Sequence, residues 1–163
     1  MNRLLIGLAA IAGTGLLLLR GTELRSAPQR PSASVQYLEG DAYQKSRAYS
    51  PAVTTTGGRI IWLAGQTGLQ DANGKSFAGD FDGQARTALQ LIDRTLKREG
   101  ASLQNLVSMT VFINDPRNGD RLVNLRREFF PAGKFPASTL ITVSNFAQPG
   151  MMIEIQGVAV VNQ

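Results

Sequence analysis

Two stretches of this 163-residue chain hold the groups with which chemistry would be done. "FPASTLITV", residues 135–143, is an uncharged strand-like run carrying the hydroxyls of Ser138, Thr139 and Thr142. "MMIEIQGVAVV", residues 151–161, is apolar but for one carboxylate, Glu154, and one amide, Gln156. The chain has no histidine and no cysteine. That removes a Ser-His-Asp triad, a thiol nucleophile and a His- or Cys-ligated zinc site. Catalysis is left to carboxylates, hydroxyls, Lys or Arg, backbone groups and water. A glutamate on a half-buried strand holds a hydrolytic water and moves its protons when burial raises its pKa. By residue type alone, the commoner role of such a glutamate is a sheet carboxylate paired to an arginine. Ser138 has no histidine or neighbouring lysine to activate it. It reads as a ligand contact or as a strand hydroxyl bonded to a neighbour, not as a nucleophile.

The elements that must position these residues are legible from periodicity. "PAVTTTGGRIIWLAGQ" is two β-rich runs around Gly57-Gly58, the pattern of a tight hairpin, and Asn73-Gly74 marks a second turn. From Asp80 the period changes. Ala85, Ala88, Leu89, Ile92 and Leu96 share a helical face, with Asp80 or Asp82 as cap and Gly100 as stop. "LVSMTVFIND" alternates as a strand. "DRLVNLRREFF" predicts a second helix, ended by Pro131. Strands around 138–143 and 151–161 close the chain. The order β-β-α-β-α-β-β is that of an α+β fold with two helices on one face of the sheet. In the last strand Ile153, Ile155, Gly157 and Ala159 fall on one face, and Glu154, Gln156, Val158 and Val160 on the other. A face that is polar at its beginning and apolar later fits a groove mouth or a subunit interface.

Hydrophobic residues make up 43% and charged residues 18%, a balance that fits one folded domain rather than a disordered chain. The net charge of +5 is scattered, with no basic run, so no nucleic-acid partner is expected. "NDPRNGD" lacks the tight ligand spacing that calcium requires, so no metal site is expected. At the amino end, Arg3 precedes sixteen uncharged, mostly apolar residues, Leu4 to Leu19. Residues 1–20 read as a signal peptide or N-terminal membrane anchor. Residues 21–46, with Pro28 and Pro31, read as a flexible linker. Residues 47–163 form the folded domain. Arg20, Arg25 and Arg30 after the apolar run oppose export and Arg3 favours it; the expected location is exported, periplasmic or anchored at the inner membrane, with the N-terminal segment touching the membrane.

"AYSPAV", "WLAGQTGL", "QARTALQLIDRTLKREGAS", "VSMTVFINDP", "LRREFFP", "FPAST" and "IEIQGVAV" occur in this order over residues 46–161. Together they resemble the Rid (YjgF/RidA-like) family of enamine and imine deaminases. The resemblance implies a chorismate-mutase-like α+β fold, assembled as a homotrimer with sites between subunits. It implies hydrolysis of reactive enamines or imines, small-molecule substrates, to a carbonyl product and ammonia, with no cofactor. By position, Glu154 matches the carboxylate that places the attacking water, and Gly65 a glycine whose amide faces the substrate. Tyr49 matches a cleft tyrosine and Phe130 one of an aromatic pair. The carbonyl of Leu140 corresponds to a second water contact. Where deaminating members carry arginine after Pro-Ala, this chain has Ser138. A guanidinium forks onto a substrate carboxylate, whereas a serine offers one neutral bond, so the substrate range is expected to differ. The alternative that follows from this departure is a non-catalytic small-molecule-binding or interaction trimer on the same fold.

Overall fold

A computed structural model describes residues 32–162 of the chain. The expected leader over 1–20 lies outside the described residues. Among the described residues no helix is long and apolar enough to cross a membrane.

The chain order is β1 (Ser34–Tyr37), α1 (Ala42–Ser46), β2 (Val53–Thr56), β3 (Arg59–Gln66), α2 (Phe81–Arg98), β4 (Leu106–Ile113), α3 (Gly119–Phe129), β5 (Ala137–Thr142) and β6 (Ile153–Val161). From β2 onward this is the order expected from periodicity. The main sheet runs β3-β6-β4-β5, antiparallel except for the parallel β4–β5 pair that α3 connects. Asp80 is the cap of α2, accepting from the Gly83 amide at 3.0 Å. Gly100, at φ 68°, follows the helix end.

Register decides the two faces. Met109 lies opposite Gly157, Val111 opposite Ile155, and Leu63 opposite Gly157. These residues join Phe81, Leu89, Ile92, Leu122 and Leu125 of the helices in one core. Both helices therefore cover the same face, and burying each large aliphatic there contributes about 1.5–3 kcal/mol. Among the described residues no helix covers the other face. It presents Trp62, 77% exposed, and Ile60, 53% exposed, with Thr110, Gln156, Phe112, Ile141 and Glu154.

Two expectations need correction. Gly57 and Gly58 do take positive φ, 67° and 80°, but they do not close a hairpin. β2 pairs with β1, and β3 pairs with β6. Two glycines in the left-handed region turn the chain so that its arms part into different sheets. The linker expected over 21–46 is also too long at its carboxyl end. Residues 34–37 are a strand bonded to β2, tied by a Ser34–Thr56 hydroxyl contact of 2.6 Å. Residues 42–46 are a helix whose Asp41 and Gln44 cap each other reciprocally. The signals were the alternation in "SVQY" and the Asp41-x-x-Gln44 spacing, a capping box.

Candidate functional site

Glu154 is the second residue of β6 and points to the open face, in register with Phe112. It is half-buried and makes no hydrogen bond or ion pair with the described residues. The arginine partner of the commoner reading is therefore not there. Beside it β3 changes register: Leu63 opposes Gly157, but Gln66 opposes Ile155. Three residues advance against two, so Ala64-Gly65 forms a bulge, which takes backbone groups out of the ladder. The Glu154 carboxylate fills the space this creates. A Cβ built on Gly65 would stand 1.9 Å from Glu154 Oε1, so a larger residue there would push the carboxylate out of this place. The structure thus brings Glu154 and Gly65 together, with the carboxylate lying over the bulged peptide.

The approach into Glu154 is held by a residue that sequence reasoning passed over. Gln84 of α2 is fully buried. Its Nε2 donates to the carbonyls of Phe77 at 3.0 Å and Gly150 at 2.8 Å. Its Oε1 accepts from the Met152 amide at 2.8 Å. Three charge-free bonds thus fix the segment immediately before Glu154 onto the helix layer. The signal was a glutamine one turn before Ala88, on the stripe continued by Ile92 and Leu96. A polar residue at a core position is the informative exception.

The other expected site residues lie elsewhere. Ser138 pairs with Met109 and Leu140 with Val111, so both face the helix layer, opposite to Glu154. The Ser138 hydroxyl is buried and has no hydrogen-bond partner among the described residues. β4 separates β5 from β6, so the Leu140 backbone is two strand spacings from Glu154, about 10 Å. Tyr49 and Phe130 line one cavity, at the start of β5. Ser50 bridges Ala137 there, whereas Ile141 lies in the row of Glu154. Four residue rises along β5, about 13 Å, lie between the two places.

Tyr49 is set by a clamp. α3 supplies two consecutive arginines to the carbonyls that end α1. Arg127 donates to Ser46 O at 2.6 Å, and Arg126 to Ala48 O at 3.3 Å. Cations suit the negative end of a helix. Ala48 has φ 55°, the one left-handed non-glycine among the described residues, and the clamp holds it. Arg126 is 3% exposed. Burial, with the Arg47 guanidinium nearby, lowers its pKa to about 10.

Comparison with known proteins settles the kinship. The model of the endoribonuclease L-PSP family, the Rid or YjgF family, matches residues 39–161. The chain belongs to the Rid family. A human 2-iminobutanoate/2-iminopropanoate deaminase is 30% identical over 112 residues, covering 69% of this chain and 79% of that protein. A RutC family protein of Pyrococcus horikoshii is 29% identical over 111 residues, 68% of this chain and 85% of that one. Among solved structures, the Rid protein YyfB of Yersinia pestis superposes with a TM-score of 0.67 at 23% identity, covering 79% of this chain and 98% of that one. A second Yersinia pestis Rid protein, YyfA, gives 0.58 at 26% identity, over 78% of this chain and 100% of that one.

Proposed function

We propose that this Rid protein hydrolyses reactive enamines or imines to a carbonyl product and ammonia. The observation that carries the reading is the unpaired, half-buried Glu154 carboxylate lying against the Gly65 bulge. In the proposed reaction Glu154 orients a water and accepts its proton as the oxygen attacks the imine carbon. Glu154 passes that proton to the nitrogen, giving a carbinolamine, then takes the hydroxyl proton and delivers it to the nitrogen as the C–N bond breaks, so that the carbonyl forms and ammonia departs. One water is consumed and no electron changes hands. The Gly65 amide donates to the substrate. The relatives named for iminobutanoate and iminopropanoate deamination support this class.

Leu140 and the rest of β5 lie too far from Glu154 in one chain to share its water. We propose that a neighbouring subunit supplies them, in a homotrimer whose contacts are made by the open sheet face. Exposed Ile60, Trp62 and Ile141 support that arrangement. Ser138, without a guanidinium, leaves this cleft with no fork for a substrate carboxylate, so neutral or differently held imines become better substrates. The test is decay of enzymatically generated iminobutanoate and of a neutral imine. Glu154→Gln is expected to slow turnover by about 10²–10⁴-fold. Equal decay with the native chain and the variant would leave a binding trimer without catalysis.

A further inference from the structure

The bulge beside Glu154 needs a restraint that the sheet does not supply. Neither Ala64 nor Gly65 has a register partner on β6. Gly65 is exposed and, lacking a Cβ, has the widest choice of backbone angles of any residue. A peptide in that position is free to turn, and its N–H turns with it. The proposed hydrolysis needs that N–H held toward the substrate.

Gln66 supplies the hold. It opposes Ile155, a core residue, so its side chain leaves β3 toward the helix layer and away from Glu154. It is half-buried. Its Nε2 donates to Gly65 O at 3.1 Å and to Ala64 O at 3.5 Å. An amide nitrogen carries two hydrogens, one for each carbonyl. Peptide planarity turns these bonds into a direction. In a trans peptide the carbonyl and the following N–H point opposite ways, and rotation between them is blocked. Holding Ala64 O therefore aims the Gly65 N–H away from the Gln66 amide. Holding Gly65 O sets the next peptide plane as well. One side chain thus fixes both planes that flank the glycine. The bulge is bounded on two sides, by the Glu154 carboxylate in the place of a Cβ and by the Gln66 amide on its carbonyls.

We infer that Gln66 is a positioning residue for imine hydrolysis, fixing the peptides on either side of Gly65 so that the Gly65 N–H donates to the substrate. This rests on the hydrolytic reading of Glu154. Gln66 itself does not touch the reacting atoms, and its own donors are taken up by the bulge.

The test pairs kinetics with the amide spectrum of the full chain labelled with [15N]glycine. The Gly65 resonance is assigned by its absence in Gly65→Ala. Gln66→Met keeps the reach of the side chain and removes the donor. It is expected to lower kcat/KM for iminobutanoate about 10²-fold, as when a reacting group is displaced by about an ångström. The Gly65 resonance is expected to broaden or split, because its peptide then samples more than one orientation, while the other glycine resonances stay in place. Gln90→Met, at an exposed position of α2, is expected to leave turnover and the Gly65 resonance as in the native chain. Turnover by Gln66→Met at the native rate overturns the assignment, because the amide is then not needed. A fall in turnover with the Gly65 resonance unmoved, or with changes spread over all the glycines, also overturns it, because Gln66 then acts only through the fold. The two failures are separable. A native chain no faster than Glu154→Gln removes the hydrolytic reading, and this inference with it, before any Gln66 variant is measured. Fast turnover by both the native chain and Gln66→Met removes this inference alone.

Discussion

At the residue scale, the candidate site comes down to two positions, one of which has no side chain. Gly65 is glycine because the Glu154 carboxylate occupies the place of a Cβ. Gly65→Ala is expected to displace Glu154 with little loss of stability, since Gly65 is exposed at a bulge. Imine turnover should fall by about 10²-fold, the usual cost of misplacing a catalytic group by an ångström. Steady-state assay together with thermal melting separates the two effects. Glu154 was legible in the sequence because it is the single charge in an apolar strand. Its seat on Gly65 was not, because a bulge depends on how β3 registers against a strand far along the chain. Ser138 was legible as a departure from a motif but not as a buried hydroxyl. Which face an edge strand shows the helices is set by its pairing with β4.

Elements carry that geometry into a rigid frame, and Gln84 is where the frame is pinned. Its three bonds reach Phe77, Gly150 and Met152. Gln84→Leu keeps the volume but leaves three backbone groups without partners. A loss of about 3 kcal/mol or more is expected, read from the denaturant midpoint. A second pin joins α2 to the short turn before β4. Burial pushes the Asp93 carboxyl up, but bonds from Lys97 and the Leu103 amide outweigh burial and leave it below its ordinary value of 3.8. A depressed carboxylate stabilises the fold above its unfolded pKa, and the contribution disappears as pH falls through the folded pKa. Asp93→Asn is expected to lower stability near neutrality and to flatten its decline between roughly pH 5 and pH 2. Urea titrations at a series of pH values measure this. Helix α2 and its cap were readable from spacing alone. The partition of β1 and β2 from β3 was not, because two glycines say that the chain turns and not which strand it turns toward.

For the whole molecule, the asymmetry between the two sheet faces is the main fact. One face is closed by α2 and α3. The other leaves a tryptophan 77% exposed beside an isoleucine 53% exposed, more apolar surface than a free sheet usually shows. In the proposed trimer that face is a contact. Trp62→Asp is expected to shift the protein to monomers in sedimentation velocity, and imine turnover should fall with it if, as proposed, a neighbour's β5 completes the site. The sequence pattern of β6, polar early and apolar late, already pointed to such a face. The partner that covers it lies beyond what one chain's periodicity encodes.

The strand order has a further effect on how the protein comes into being. β6, made after every other strand of the main sheet, belongs between β3 and β4, which are synthesised long before it. Until β6 leaves the ribosome, both neighbours present bare hydrogen-bonding edges, the surfaces that invite pairing with other chains. The same insertion delivers Glu154 to Gly65. Insertion of β6 thus seals the sheet and assembles the proposed site in one event, so a chain that stalls short of it lacks that site and keeps its adhesive edges.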